Sequence, residues 1–308
     1  MHSPSSPGTR RRHATIALAV AALAYLASLY VLQRLPGASL ADPLFLFAVI
    51  GIAFPALAWA LTRKPRHPPR PQGRARLPGV LVYLAAFSLL ILGWGFSALN
   101  QAVPEDPAQS IAKLALKLLT MVVLPAWLFL RLRERGQAPF GARRLWLAFV
   151  LMSLAYLAMQ AVFGRGLMSL SQLAPAATTL AWAIPLCFVW QTVEAGLCEE
   201  LLFRRVLQEH FALATGSQVA AIAWASLLFG LAHAPGLYLR GASLLEGVAA
   251  PTPGWAIAYS IVMIAPAGIA FGVLWARTRS LWLIVPLHGM VDLIPQLAPF
   301  IREWTGAA

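Results

Sequence analysis

Charge and cysteine are both scarce in this chain. Only 11% of its 308 residues are charged, against roughly 25% in a soluble globular domain. With 59% hydrophobic residues and a mean hydropathy of +0.71, there is too little polar surface for a water-soluble fold of this length. A polytopic membrane protein is what remains. The two cysteines, Cys187 and Cys198, are too few for a disulfide framework or a multi-cysteine metal site. The HExxH pattern of helical zinc sites is absent as well, and no convincing internal repeat marks an inverted-repeat transporter.

What is present is a net charge of +13, and its placement decides its meaning. Arg10, Arg11 and Arg12 precede the first apolar run. Arg63, Lys64, Arg66, Arg70, Arg74 and Arg76 follow the second, and Arg131, Arg133, Arg135, Arg143 and Arg144 follow the fourth. Arg204 and Arg205 follow the sixth, and Arg277 and Arg279 the eighth. Basic residues in every second connection are the positive-inside pattern, so the charge reports orientation and excludes a nucleic-acid partner.

A membrane-spanning helix needs about 20 mostly apolar residues. About nine runs qualify: 14–33, 43–62, 77–99, 109–130, 145–163, 176–203, 217–239, 255–275 and 281–300. The expected fold class is all-α, a polytopic transmembrane helical bundle with its N-terminus cytoplasmic and the loop of Glu105 and Asp106 on the other side. The first run exceeds the apolar core of a secretory signal and reads as a retained anchor helix. The Pro/Arg-rich connector at 63–76 cannot form a packed core. The domain expectation is an N-terminal set of helices and basic loops over 1–144, followed by a functional core over 145–308. Lys113 and Lys117, one turn apart near a helix end, are expected to snorkel to the interface. Trp182, Trp190, Trp224, Trp255, Trp275 and Trp282 read as interface anchors or packing.

Ionisable groups inside membrane segments are costly and tend to mark a pathway or a reaction site. Those present are Glu194, Glu199, Glu200, Arg204, His233, His288 and Asp292, all in the C-terminal half. On a regular helix Glu200 pairs with Arg204 and His288 lies over Asp292, while Glu199 is rotated by about 100° from Glu200 and lacks that arginine. "ATGS" at 214–217 reads as a hairpin turn, with Glu199 seventeen residues before Gly216 and His233 seventeen after it. In an antiparallel hairpin the two side chains reach one height. His288 matches that height if the hairpin end, with Arg204, Arg205, Glu209 and His210, projects from the cytoplasmic face by about 12 Å. The three groups then meet at one level, reachable from the cytoplasm. A carboxylate in a semi-dry cavity is a competent base for water, a histidine can pass on its proton, and a second polar pair can stabilise an oxyanion. The same groups could instead ligate a metal. Both schemes end in hydrolysis of an amide or ester.

Three motifs carry a resemblance. "EELLFR" (Glu199, Glu200, Arg204) matches EExxxR, "FGLAH" (Phe229, His233) matches FxxxH, and "HGMVD" (His288, Asp292) matches HxxxN/D. In this order, on separate helices, they resemble the CPBP family of intramembrane proteases, which includes CAAX prenyl endopeptidases and bacteriocin-processing or immunity proteins. The resemblance covers about residues 176–300. It implies an endopeptidase acting on a membrane-associated peptide or protein. Glu199 would activate water with help from His233, and His288 with Asp292 would support the oxyanion. Glu200 and Arg204 would hold the helix by an ion pair, and Phe229 would be structural. Asp292 departs from the asparagine often found there; ionised, it orients His288 but cannot donate to an oxyanion. A metal-free mechanism is the favoured expectation; if a divalent metal such as zinc takes part, its ligands would be Glu199, His233 and His288. A non-catalytic immunity or binding protein is the alternative function, ahead of a transporter. Abundant Ala, Leu and Arg with little Lys points to a bacterial cytoplasmic membrane.

Overall fold

The computed structural model describes residues 6–34, 39–63, 75–130, 140–244 and 250–306. Lys64, Arg66, Arg70, Arg74, Arg131, Arg133 and Arg135, read above as orientation signals, lie outside the described residues. Every regular element among the described residues is helical. A bilayer offers the backbone no hydrogen-bond partners, and helices of this length satisfy their own N–H and C=O groups. The helices are α1 (Pro7–Gln33), α2 (Ala41–Leu61), α3 (Leu77–Ala102), α4 (Ala108–Phe129), α5 (Ala142–Phe163), α6 (Gly166–Leu173), α7 (Ala177–Thr215), α8 (Gln218–Leu244), α9 (Pro253–Ile264), α10 (Ala267–Thr278) and α11 (Leu281–Thr305). Eight are long and apolar enough to cross a membrane, and α9 with α10, bent by 49°, make up to nine. The expected all-helical, multi-span fold is what the structure shows. The bend falls at Pro266, whose ring cannot continue the hydrogen-bond ladder.

Large apolar side chains cover the outside of the bundle. Leu23, Val82, Trp94 and Trp127 are all exposed, an apolar exterior of the kind a bilayer accommodates. Inside, α3, α7 and α8 share one apolar cluster around Phe203, Leu207 and Phe229. A second joins α2, α5, α10 and α11 around Tyr156, Phe271 and Leu287. The first half of α7 and the end of α11 make a third, from Cys187 to Phe300. Both cysteines are buried and free.

Helix α7 is 39 residues long and is not regular. It carries Pro185 and two π-helical stretches, Thr192–Leu197 and Glu200–Gln208. Such widened turns re-aim the side chains they contain and are frequent at functional sites. Glu199 sits between the two. Gly216, in the left-handed region at φ 66°, ends α7. Ser217 Oγ accepts from the Ala220 N–H at the start of α8. The hairpin turn expected at 214–217 is present. His13 Nδ1, from α1, donates to the Thr215 carbonyl at 2.9 Å and occupies one of the orphan acceptors at the α7 terminus.

The stretch after Glu200 corrects one expectation. It is not a polar projection: Glu200, Arg204, Gln208, Glu209 and His210 are all buried. Each polar group has an internal use. Gln208 Nε2 donates to the Gly272 carbonyl at 2.9 Å, Glu209 is ion-paired with Arg279, and His210 Nδ1 donates to the Val206 carbonyl at 2.8 Å. The polar groups that suggested solvent face α10, Arg279 just after it, and α7 itself.

Candidate active site

The approach of α7 and α11 creates the site. A Cβ on Gly196 would lie 2.4 Å from the Val285 carbonyl oxygen, and one on Gly289 would lie 2.2 Å from Thr192 Oγ1 and 2.9 Å from its Cα. Only glycine permits backbones so close, the device by which small residues let membrane helices pack. His288, beside Gly289, is thereby pressed against Glu199 and Glu200.

His288 is buried and touches three carboxylates. Its Nδ1 is 2.8 Å from Glu200 Oε1. Its Nε2 faces Asp292 Oδ2 at 3.5 Å and Glu199 Oε2 at 3.7 Å. The ring stacks on Phe271, centroids 4.9 Å apart, which fixes its plane. Ionised carboxylates accept hydrogen bonds and cannot donate them, so Nδ1 carries the proton of the bond to Glu200, and a proton on Nε2 would face two further acceptors at longer range.

His233 approaches Glu199 from α8. Its Nδ1 is 2.8 Å from the Phe229 carbonyl oxygen. Since a carbonyl only accepts, Nδ1 is the protonated nitrogen. That leaves Nε2 directed at Glu199 Oε1, 3.9 Å away. Both imidazoles therefore turn Nε2 towards Glu199 at separations too long for a direct hydrogen bond and suited to a bridging atom.

Around this centre the motif residues interlock. Arg204 Nε lies 3.3 Å from Glu200 Oε2, an ion contact without hydrogen-bond alignment. The Arg204 guanidinium also covers the Phe229 ring at 4.9 Å, a cation–π contact. Phe229 in turn packs edge-on against His233 at 5.1 Å and Phe203 at 5.0 Å. The expected Glu200–Arg204 pair is present, and Glu200 has a second partner that helix periodicity does not show: it holds His288 across the bundle. Asp292, expected to orient His288, shares the Nε2 side of the ring with Glu199, so Nδ1 is held by Glu200.

Lys117 is a second correction. It does not snorkel to an interface but is buried, and its Nζ pairs with Glu194 at 2.5 Å. Its stem points inward because α4 packs beside α7 there. Lys113 donates to Gln109. Lys117, Glu194, Glu199 and Asp292 line one polar cavity of about 290 Å³, which continues past Ser110 and Gln296 to Glu303. That direction is towards the start of α4 and the end of α11, on the side of the Glu105–Asp106 loop. Access was expected from the opposite end, where the buried stretch of 200–212 stands between Glu199 and the hairpin turn. Among the described residues no group of three or more His, Cys, Asp or Glu side chains is arranged to hold a metal ion. No step in the reaction proposed for Glu199, His233 and His288 is routed through a metal.

Residues 181–294 match the family model described as "Type II CAAX prenyl endopeptidase Rce1-like". The match spans all three motifs, and the chain carries an Rce1-like domain of the CPBP family in this segment. The family consists of membrane proteases, hydrolases acting on peptide bonds, and that is the enzyme class of this chain. No curated protein and no solved structure matches the chain.

Proposed function

We propose that this protein hydrolyses a peptide bond of a membrane-associated protein or peptide, CAAX-type in its chemistry, with a glutamate-activated water. The observation that carries the reading is the convergence of two imidazole Nε2 atoms on Glu199, at 3.9 and 3.7 Å. A water between them meets a base and two proton carriers at once. Glu199 takes its proton as the oxygen attacks the scissile carbonyl. His233 Nε2 receives that proton and delivers it to the leaving amine. His288, held through Nδ1 by Glu200, offers an Nε2–H to the developing oxyanion. Asp292, on the same side of that ring, orients it and stabilises its charge.

The segment 145–308 is proposed as the protease core, and 1–144 as a helical surround with basic connections. The alternation of basic loops supports an N-terminus in the cytoplasm, and the composition supports a bacterial cytoplasmic membrane. The substrate is a peptide whose scissile bond reaches bilayer depth.

The experiment is cleavage of a panel of membrane-tethered peptides, prenylated and unprenylated, by the purified chain and by Glu199→Ala, with and without a chelator. Cleavage by wild type that survives the chelator and vanishes in the variant supports the reading. Loss with the chelator assigns the water to a metal. No cleavage of any peptide by wild type favours a binding or immunity role.

A further inference from the structure

A second cavity, of about 660 Å³, lies away from the site, bounded by α1, α2, α8 and the α9–α10 bend. None of Glu199, His233, His288 and Asp292 lines it. Its wall is almost wholly apolar, with Ala22, Phe47 and Ala223 among its residues. Leu18, Leu26, Leu44 and Val219, all lining it, are also exposed, so the cavity opens sideways onto whatever surrounds the bundle. For a membrane protein that is hydrocarbon.

Its length is informative. Along α1 the lining runs from Leu18 to Leu29, eleven residues, or about 17 Å at 1.5 Å per residue. One leaflet of a hydrocarbon core about 30 Å thick is about 15 Å deep. The buried Leu29 closes the inner end. At the other end Arg11 stands seven residues before Leu18, two turns away and on the same face of α1. Arg10 and Arg12 flank it, all three are exposed, and no Asp or Glu precedes Asp42 in the chain. A slot one leaflet deep with three arginines beyond its mouth matches a chain with an anionic head.

We propose that this cavity binds one acyl chain of an anionic phospholipid from the leaflet at the basic end of the bundle, its phosphate lying on Arg10–Arg12. Bound there, the lipid joins α1 and α2 to the helices of the protease core. The inference stands independently of the proposed reaction, because its test reads lipid and not hydrolysis.

The full chain, purified in detergent, is offered phosphatidylglycerol or phosphatidylcholine, and retained lipid is read by native mass spectrometry. A phosphatidylglycerol carrying a photoreactive acyl chain maps the contact on the wild-type protein. The expected result is preferential retention of phosphatidylglycerol, at least several-fold, with crosslinks on α1 between Leu18 and Leu29 and on the start of α8. Ala223→Phe, which fills the slot, abolishes the crosslink. Arg10→Gln, Arg11→Gln and Arg12→Gln together keep the crosslink and remove the headgroup preference. Crosslinks confined to other helices, or equal retention of both lipids by wild type, overturn the proposal. So does displacement of the photoreactive lipid by a prenyl alcohol at equimolar concentration, which would make the slot an isoprenoid site.

Discussion

His288 Nδ1 and Glu200 Oε1 meet at 2.8 Å across two helices, while the other oxygen of the same carboxylate faces Arg204 Nε at 3.3 Å. One buried carboxylate therefore neutralises an arginine and aims a histidine. The two duties separate by substitution. Arg204→Met leaves Glu200 charged and buried, and Glu200→Leu leaves Arg204 so; each is expected to cost about 3–5 kcal/mol. The double variant Glu200→Leu, Arg204→Met removes both charges and recovers most of that stability in detergent unfolding. Its hydrolysis stays low, by on the order of 10²-fold or more, because His288 has lost the group that orients it. Glu200→Gln with Arg204→Met keeps an acceptor for Nδ1 and returns part of the activity. Equal activity of the two double variants would leave Glu200 a helix-holding residue alone.

Glu199 accepts no hydrogen bond within normal distance from either histidine, which face it at 3.9 and 3.7 Å. Glu199→Gln should therefore leave thermal stability nearly unchanged while lowering the turnover of a cleaved peptide by roughly 10²–10⁴-fold, the scale of general-base catalysis. Asp292→Asn supplies an amide donor beside His288 Nε2 and is expected to keep activity within a few-fold. Asp292→Ala, which removes the group altogether, should lower it further than Asp292→Asn. Thermal melts beside single-turnover rates decide both.

The approach of Glu199 to His233 was legible in the sequence because Gly216 marks the turn between α7 and α8, midway between them; the level of His288 was inferred from a projecting hairpin end that the structure does not show. Their identities stood out because ionisable groups are rare in apolar runs. The spans were legible for the same reason. Cross-helix partnerships were not. Lys117 and Glu194 are 77 residues apart, and periodicity within one helix carries no information about which neighbour a side chain meets. The polarity of 200–212 misled for a related reason: a charged residue on a projecting helix end and one paired inside a bundle have the same letter. The signal that could have found the α7–α11 approach is the pair Gly196 and Gly289, each within a few residues of a motif.

Those glycines carry a prediction of their own. A Cβ at Gly289 would sit 2.2 Å from Thr192 Oγ1 and 2.9 Å from the Thr192 Cα, so Gly289→Ala must push α11 from α7. Overpacking of this kind costs about 1–3 kcal/mol, and the displacement reaches His288, one residue away. Activity should fall more than stability does. Thr192→Ala in the Gly289→Ala background removes only the hydroxyl contact and is expected to restore little. Full activity in Gly289→Ala would show that the helix spacing is not needed for the site.

The ion pair of Lys117 and Glu194, 2.5 Å long and shielded from solvent on the lysine side, lines the cavity that contains Glu199. Lys117→Met or Glu194→Gln alone strands a charge in that cavity and should destabilise by about 3–5 kcal/mol. Lys117→Met with Glu194→Gln should recover most of the loss. A double-mutant cycle from unfolding midpoints measures the coupling directly, and additive single effects would mean the pair contributes nothing as a pair.

The polar cavity carries a prediction about the direction from which the site is reached. It runs from Glu199 and Asp292 to Ser110, Gln296 and Glu303, and these last three stand where α4 begins and α11 ends, at the end of the bundle with the Glu105–Asp106 loop. Gln296 is exposed, whereas Cys187 and Cys198 are wholly buried and give little background reaction. In sealed vesicles of known orientation, Gln296→Cys and Ser110→Cys should react with a membrane-impermeant maleimide added on the side of that loop. Modification of Gln296→Cys, once complete, should slow hydrolysis of a tethered peptide by narrowing the passage to Glu199. Labelling only from the side of the Arg277–Arg279 connection would place the opening at the other end, and full hydrolysis after complete modification would mean that neither water nor peptide uses this cavity.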